Sequence, residues 1–257
     1  METRVDPALE AGDDSLPGPF GFRSFVAEAA RLYRSNVGVL APSFLVVALP
    51  LWVLPVAGIM VLESAGGSDF SQFMIFFVQL AAAQLLGSLL VGPAALVMTE
   101  RLHDRPMCVT GALKELRPLR SSLIAAALYA VIAGVLLLVV PVIPASVVLG
   151  PPIFAHVIAL ERKSLQEALP RARSLLKRNA LRLFTYLFGV LFLARLLEIV
   201  LYQGAFVIER GAGAENESVQ ILVQALLGGL FAGVVLWPLA VCLSLVAYFD
   251  VRARAAD

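Results

Sequence analysis

Histidine and cysteine are scarce in this chain. Its 257 residues hold two of each: His103, His156, Cys108 and Cys242, in no spacing that binds a metal. No G-x-S-x-G, no H-E-x-x-H and no phosphate-binding glycine loop is present. Gly211-Ala212-Gly213 lacks the strand–helix setting such a loop needs. The expectation is a non-enzymatic protein with no catalytic residue, metal or cofactor. Charge is also sparse, at 15% of residues, against roughly 25% in soluble proteins. The basic connections lack interleaved aromatics, so nucleic acid is not an expected partner. Cys108 falls in a connection and Cys242 in an apolar stretch, so no disulfide is expected.

Apolar residues are plentiful, at 60%. They gather into six stretches: Val37–Leu62, Gln72–Thr99, Ser121–Val140, Pro144–Leu160, Leu183–Ile208 and Val219–Phe249. About 20 such residues cross about 30 Å of hydrocarbon as a helix. Five stretches meet that length, and the fourth is short. The expectation is an all-α bundle of six transmembrane helices over residues 20–254, preceded by a tail, 1–19, whose Asp, Glu and Pro content reads as disordered. The first stretch is too long for a signal peptide core, so none is expected. Of 20 Lys and Arg, 18 lie before the first stretch, in the second and fourth connections, or after the last. Arg210 alone lies on the other side, and Arg195 within a stretch. The positive-inside rule places both termini in the cytoplasm. Abundant Arg and Ala point to a bacterial source, hence to an inner membrane with the lipid bilayer as partner. The sequon Asn216-Glu217-Ser218 is then a chance match.

A threefold pattern runs through the chain. Phe22, Phe25, Val26, Ala29, Leu32 and Tyr33 follow helical spacing, with Arg23, Arg31 and Arg34 on the other face. Leu165, Ala168, Leu169, Ala172, Leu175 and Leu176 repeat it, with Arg171, Arg173, Lys177 and Arg178 as basic residues and Ser164/Glu167 as a capping box. Pro170 is expected to break or kink that helix. Thr110–Leu119 is a shorter version. Each even stretch holds a proline and ends in an acid near an Arg: Pro93 with Glu100-Arg101, Pro151/Pro152 with Glu161-Arg162, Pro238 with Asp250-Val251-Arg252. This reads as three units, each an amphipathic helix and two spans. Arg on such helices suits anionic headgroups.

Within the fifth stretch, Arg195 and Glu198 are the costliest residues. A central Arg costs about 2.5–3.5 kcal/mol to insert, and an acid is similar. Surrounding Leu, Ile, Val and Phe return roughly 3–7 kcal/mol. The net is near zero, so the pair is expected to meet itself or protein, at i, i+3. Tyr202 continues that face and Gln203 lies beside it. Two readings stand, a structural ion pair or a polar point in a transport path. His156, Ser244 and other lone polar residues read as interhelical hydrogen-bonding groups, and Ala126/Ala130/Gly134 and Ala225/Gly229/Gly233 as close-packing faces.

Phe25–Asn36 leading into the first stretch, the block Ala168-Leu169-Pro170-Arg171-Ala172-Arg173-Ser174-Leu175 and the terminal Tyr248-Phe249-Asp250-Val251-Arg252-Ala253-Arg254 together carry a resemblance. The chain resembles the multi-pass membrane domain attached to some glycerophosphoryl diester phosphodiesterases, and its stand-alone bacterial relatives. The phosphodiesterase barrel is absent. The resemblance implies a membrane fold without catalysis. The expected role is organising or assisting other membrane components through an unidentified membrane protein partner. The alternative is a small-molecule or lipid transporter using Arg195 and Glu198.

Overall fold

A computed structural model describes residues 20–64, 69–139, 145–177, 179–211 and 217–256. Within these, the side chains of 62–64, 69–73, 76, 77, 80, 134–139, 145–149, 191, 194, 195, 198, 199, 201–211, 217–221 and 256 lie outside the described ones. The tail expected at 1–19 and Arg178 also lie outside. The described residues are helical, with no strand among them. In order they form α1 (Phe22–Ser64), α2 (Asp69–Leu102), α3 (Val109–Glu115), a 3-10 turn (Arg117–Leu119), α4 (Arg120–Val139), α5 (Ala145–Leu160), α6 (Leu165–Leu176), α7 (Ala180–Gly211), α8 (Glu217–Phe231), a π turn (Ala232–Leu236) and α9 (Trp237–Ala256).

Three helices among the described residues are long and apolar enough to cross a membrane: Phe22–Val61, Ala81–Leu102 and Leu222–Ala255. A fourth arises if Val109–Glu115 and Arg117–Ala133, bent by 63°, count as one span. Gly150–Leu160 and Ala180–Val190 are shorter apolar helices. At 16 residues, α5 is about 24 Å long.

The amphipathic segment at Phe22 does not stop before the first span. It fuses with it in one helix of 43 residues. The reason is a single stripe that runs through both parts: Phe25, Ala29, Leu32, Asn36, Leu40, Phe44 and Ala48 are all buried at three- or four-residue steps. Pro170 likewise fails to break α6, a continuous helix of 12 residues whose Ser164/Glu167 capping box is formed. Pro170 removes the hydrogen bond to the Gln166 carbonyl, but both residues are exposed, so water replaces it.

The core is built from the ends of α2, α5 and α9. Residues 92–99, 153–160 and 241–248 are each buried eight in a row. A helix buried on every side must be surrounded by others, and these three touch one another pairwise. Around them, α1 packs on α2 and α9, α4 on α5 and α2, and α7 on α9 and α5. Each outer helix thus lies in the groove between two inner ones. Close approach depends on absent side chains. A Cβ on Gly92 would come 2.9 Å from Leu123 Cδ2, and one on Gly233 would come 3.0 Å from Leu45 Cα. The Leu123 side chain could swing away from the first, but at Gly233 the clash is with backbone and the helices would have to separate. After α2 and α5 the chain turns through a left-handed residue, Asp104 (φ 58°) and Arg162 (φ 55°).

Candidate functional site

The described polar chemistry concentrates where α2, α5 and α9 end among basic residues. Asp250, 1% exposed, is the hub. Its Oδ1 accepts the Phe20 backbone N–H at 2.8 Å and Arg254 Nε at 3.3 Å. Arg182, at the start of α7, bonds Oδ2. A buried carboxylate must be matched by donors, and here three chain segments supply them. Arg182 also stacks over the Tyr186 ring, 5.9 Å from its centroid, and Tyr186 meets Phe22 and Phe25. This ties the starts of α1 and α7 to the end of α9.

A second carboxylate closes α5. Glu161 accepts the Tyr248 hydroxyl at 2.9 Å, with Lys163 at 3.3 Å and Arg171 at 3.4 Å. Five residues earlier on α5, His156 is fully buried, its Nε2 2.9 Å from Ser244 Oγ on α9. The Ser244 hydroxyl already donates to the Val241 carbonyl at 3.0 Å. Its oxygen is therefore the acceptor, Nε2 carries the proton, and the imidazole is the Nε2–H tautomer. Nδ1 is then a bare acceptor, with no hydrogen-bond partner among the described residues. The third acid, Glu100 of α2, meets Arg105 at 3.8 Å, and Arg162 pairs with Glu115 at the end of α3.

One polar contact repairs a backbone defect. Pro238 has no N–H to offer the Val234 carbonyl four residues earlier. The Tyr33 hydroxyl on α1 donates to that carbonyl instead, at 3.1 Å. The π turn sits at this position, where such turns absorb a break in the helical ladder.

Of the residues expected from sequence, Arg195, Glu198, Tyr202 and Gln203 fall on α7, with side chains outside the described ones. Arg23, Arg34, Arg173 and Lys177 are exposed at the basic end. Arg31 is exposed and pairs with Glu28 on its own helix. Arg171 is half-buried and reaches the Glu161 carboxylate, which needs a cation. The pairing of His156 with Ser244 across α5 and α9 fits its reading as an interhelical bond. Sequence reasoning missed Arg182 and Lys163 as partners of the terminal acids. The only available signal was the recurrence of the acids themselves. Cys108 is exposed and free. The Thr110 hydroxyl and then the Gly111 N–H hold its thiol below the usual range. Among the described residues no three of His, Cys, Asp and Glu group closely enough to hold a metal.

On the far half of the molecule, α1 and α2 part to leave a groove of about 640 Å³. It is lined by Val46, Pro50, Leu54, Pro55 and Gly58 on one side and by Met74, Val78, Ala82 and Leu86 on the other, with Gln79 its one polar residue. Comparison with protein-family models, with curated proteins and with solved structures gave no match.

Proposed function

We propose that the chain is a non-enzymatic six-pass protein of a bacterial inner membrane, with both termini in the cytoplasm, that organises or assists other membrane components. Three helix–span–span units make up the bundle in this reading. The cyclic packing of α1, α4 and α7 on α2, α5 and α9 supports it. The observation that carries the functional part is the closure of the basic end. Residues 92–99, 153–160 and 241–248 of the three inner helices are buried just before their acids, and those acids, Glu100, Glu161 and Asp250, are held by cations from the same chain. A conduit needs polar groups turned toward water, whereas these face one another. The sequence resemblance to the phosphodiesterase membrane domain points the same way.

Two measurements test the proposal. Cysteines at Ser68 and Asn216 should react with an impermeant thiol reagent in intact cells and one at Ser174 should not; labelling at Ser174 would overturn the topology. Crosslinking and mass spectrometry of native membranes should then recover a membrane protein partner. The transport alternative is tested by Arg195→Leu with Glu198→Leu. A double variant that folds but loses its cellular phenotype would favour a transport path and sink the organising role.

A further inference from the structure

We propose that residues 1–19 dock on the basic end of the bundle, as an acidic segment held there by charge. Three observations converge on this. The segment carries Glu2, Asp6, Glu10, Asp13 and Asp14 against a single Arg4. It joins the fold at Phe20, which is 6% exposed and whose N–H is fixed to Asp250. Asp250 is itself bound by Arg182 and Arg254, so the segment leaves the fold among cations. Arg23 and Arg34 stand on α1 itself, Lys114 on α3, Arg117 in the 3-10 turn after it, Arg173 on α6 and Lys177 at its end. All are exposed, and none makes an ion pair with a carboxylate among the described residues. Helix α3, which carries Lys114, packs on α1, and α6, which leads to Lys177, packs on α9. These cations therefore lie on, or next to, the helices that pack against α1 and α9, between which the segment leaves.

The physics favours an internal occupant. A single exposed ion pair is worth little. A tethered segment, however, presents its carboxylates at an effective concentration near the millimolar range. Nineteen residues reach roughly 25 Å as a coil, and about 65 Å when extended. Several weak pairs can form together without a new folded element. The docked segment would cover cations that otherwise attract anionic headgroups or an acidic partner. The strength of that cover would depend on salt.

The chain has three lysines, Lys114, Lys163 and Lys177, and all lie at the basic end. That makes zero-length carbodiimide crosslinking a direct test, run on the full chain in nanodiscs containing phosphatidylglycerol. Glu161 and Lys163, 3.3 Å apart, provide the internal control. Isopeptide links from residues 2–14 to Lys114 or Lys177 are expected. They should fall several-fold between about 0.1 and about 1 M salt, as the screening length drops from ~10 to ~3 Å. The control link without any tail link would overturn the proposal, leaving headgroups or solvent on those cations. Cys108 gives a second readout. In a full-length variant with Glu2→Gln, Asp6→Asn, Glu10→Gln, Asp13→Asn and Asp14→Asn, an anionic thiol reagent should modify Cys108 several-fold faster than in the parent. A neutral reagent should show no change. Equal anionic rates in the two proteins would also overturn it.

Discussion

Phe44 and Val46 stand two residues apart on α1, one 1% exposed and the other 75%. Phe44 stacks edge-on with Trp237 of α9, ring centroids 6.0 Å apart, while Val46 lines the open groove beside α2. The same division holds across the molecule. At the basic end the buried Asp250 and the half-buried Glu161 find partners elsewhere in the chain, and deeper in the bundle the buried His156 and the freed Val234 carbonyl find theirs on other helices. Toward the far half, Leu54, Val61, Val78, Phe188, Phe192 and Leu193 point outward. Apolar surface facing water would drive helices together. Surface facing lipid does not, because lipid tails are as apolar as leucine. The far half can therefore stay open, and the fold's stability must concentrate where the helices are locked.

The largest effect belongs to Asp250. Asp250→Ala would leave Arg182 and the Phe20 N–H without their acceptor, beside buried neighbours. Removing one partner of a buried pair costs about 3–5 kcal/mol. Thermal unfolding in mild detergent should show a loss of that order. A loss under about 1 kcal/mol would mean that the lock contributes little and that stability lies elsewhere.

Next is the His156–Ser244 bond. Ser244→Ala leaves the Nε2–H of a fully buried ring unpaired, at about 1–3 kcal/mol. His156→Leu combined with Ser244→Ala removes both polar groups and should recover most of that loss. If the double variant is less stable than Ser244→Ala alone, the imidazole has a further partner, and its Nδ1 is not a bare acceptor.

Tyr33→Phe should cost about 1 kcal/mol by orphaning the Val234 carbonyl. In a Pro238→Ala background the restored N–H can serve that carbonyl, so the same substitution should cost much less. Equal costs in both backgrounds would show that the hydroxyl is not repairing the proline break.

These locks divide what can be read in the sequence from what cannot. The apolar stretches are legible because hydrocarbon constrains composition over some 20 residues. Their helices appear close to where the stretches lie. The close-packing face at Gly229 and Gly233 is legible too, since four-residue spacing is local, and it does meet α1. The fusion within α1 was readable in principle from the stripe of Phe25, Ala29, Leu32, Asn36, Leu40 and Phe44. A change from charged to apolar neighbours masks that continuity. The partners of the acids are a different matter. Asp250 is bonded to groups 68 and 230 positions away, and nothing in local spacing encodes which of many arginines will reach it. For the candidate site, the sequence located the acids at the helix ends but not the cations that hold them.

Asp104 tests the rim of the locked region. It holds φ at 58° after α2, a conformation that glycine adopts without the strain of a Cβ. Asp104→Gly should stabilise by up to about 1 kcal/mol, offset in part by the greater freedom of the unfolded chain. A clear destabilisation would show that the Asp104 side chain makes a contact that outweighs its backbone strain.

The smallest effect should come from the open region, and it returns to the pair on α1. Phe44→Ala removes a ring from a packed core and should cost about 3–5 kcal/mol. Val46→Ala removes two methyl groups from a surface that lipid or detergent can refill, so no cavity remains and the cost should stay below about 0.5 kcal/mol. Measuring both by thermal unfolding, first in detergent and then in native membranes, sharpens the contrast. A Val46→Ala cost that is negligible in detergent but clear in native membranes would place a protein partner in the groove beside α2. A large cost in both would mean that α1 and α2 close over Val46, and the division into locked and open halves would fail.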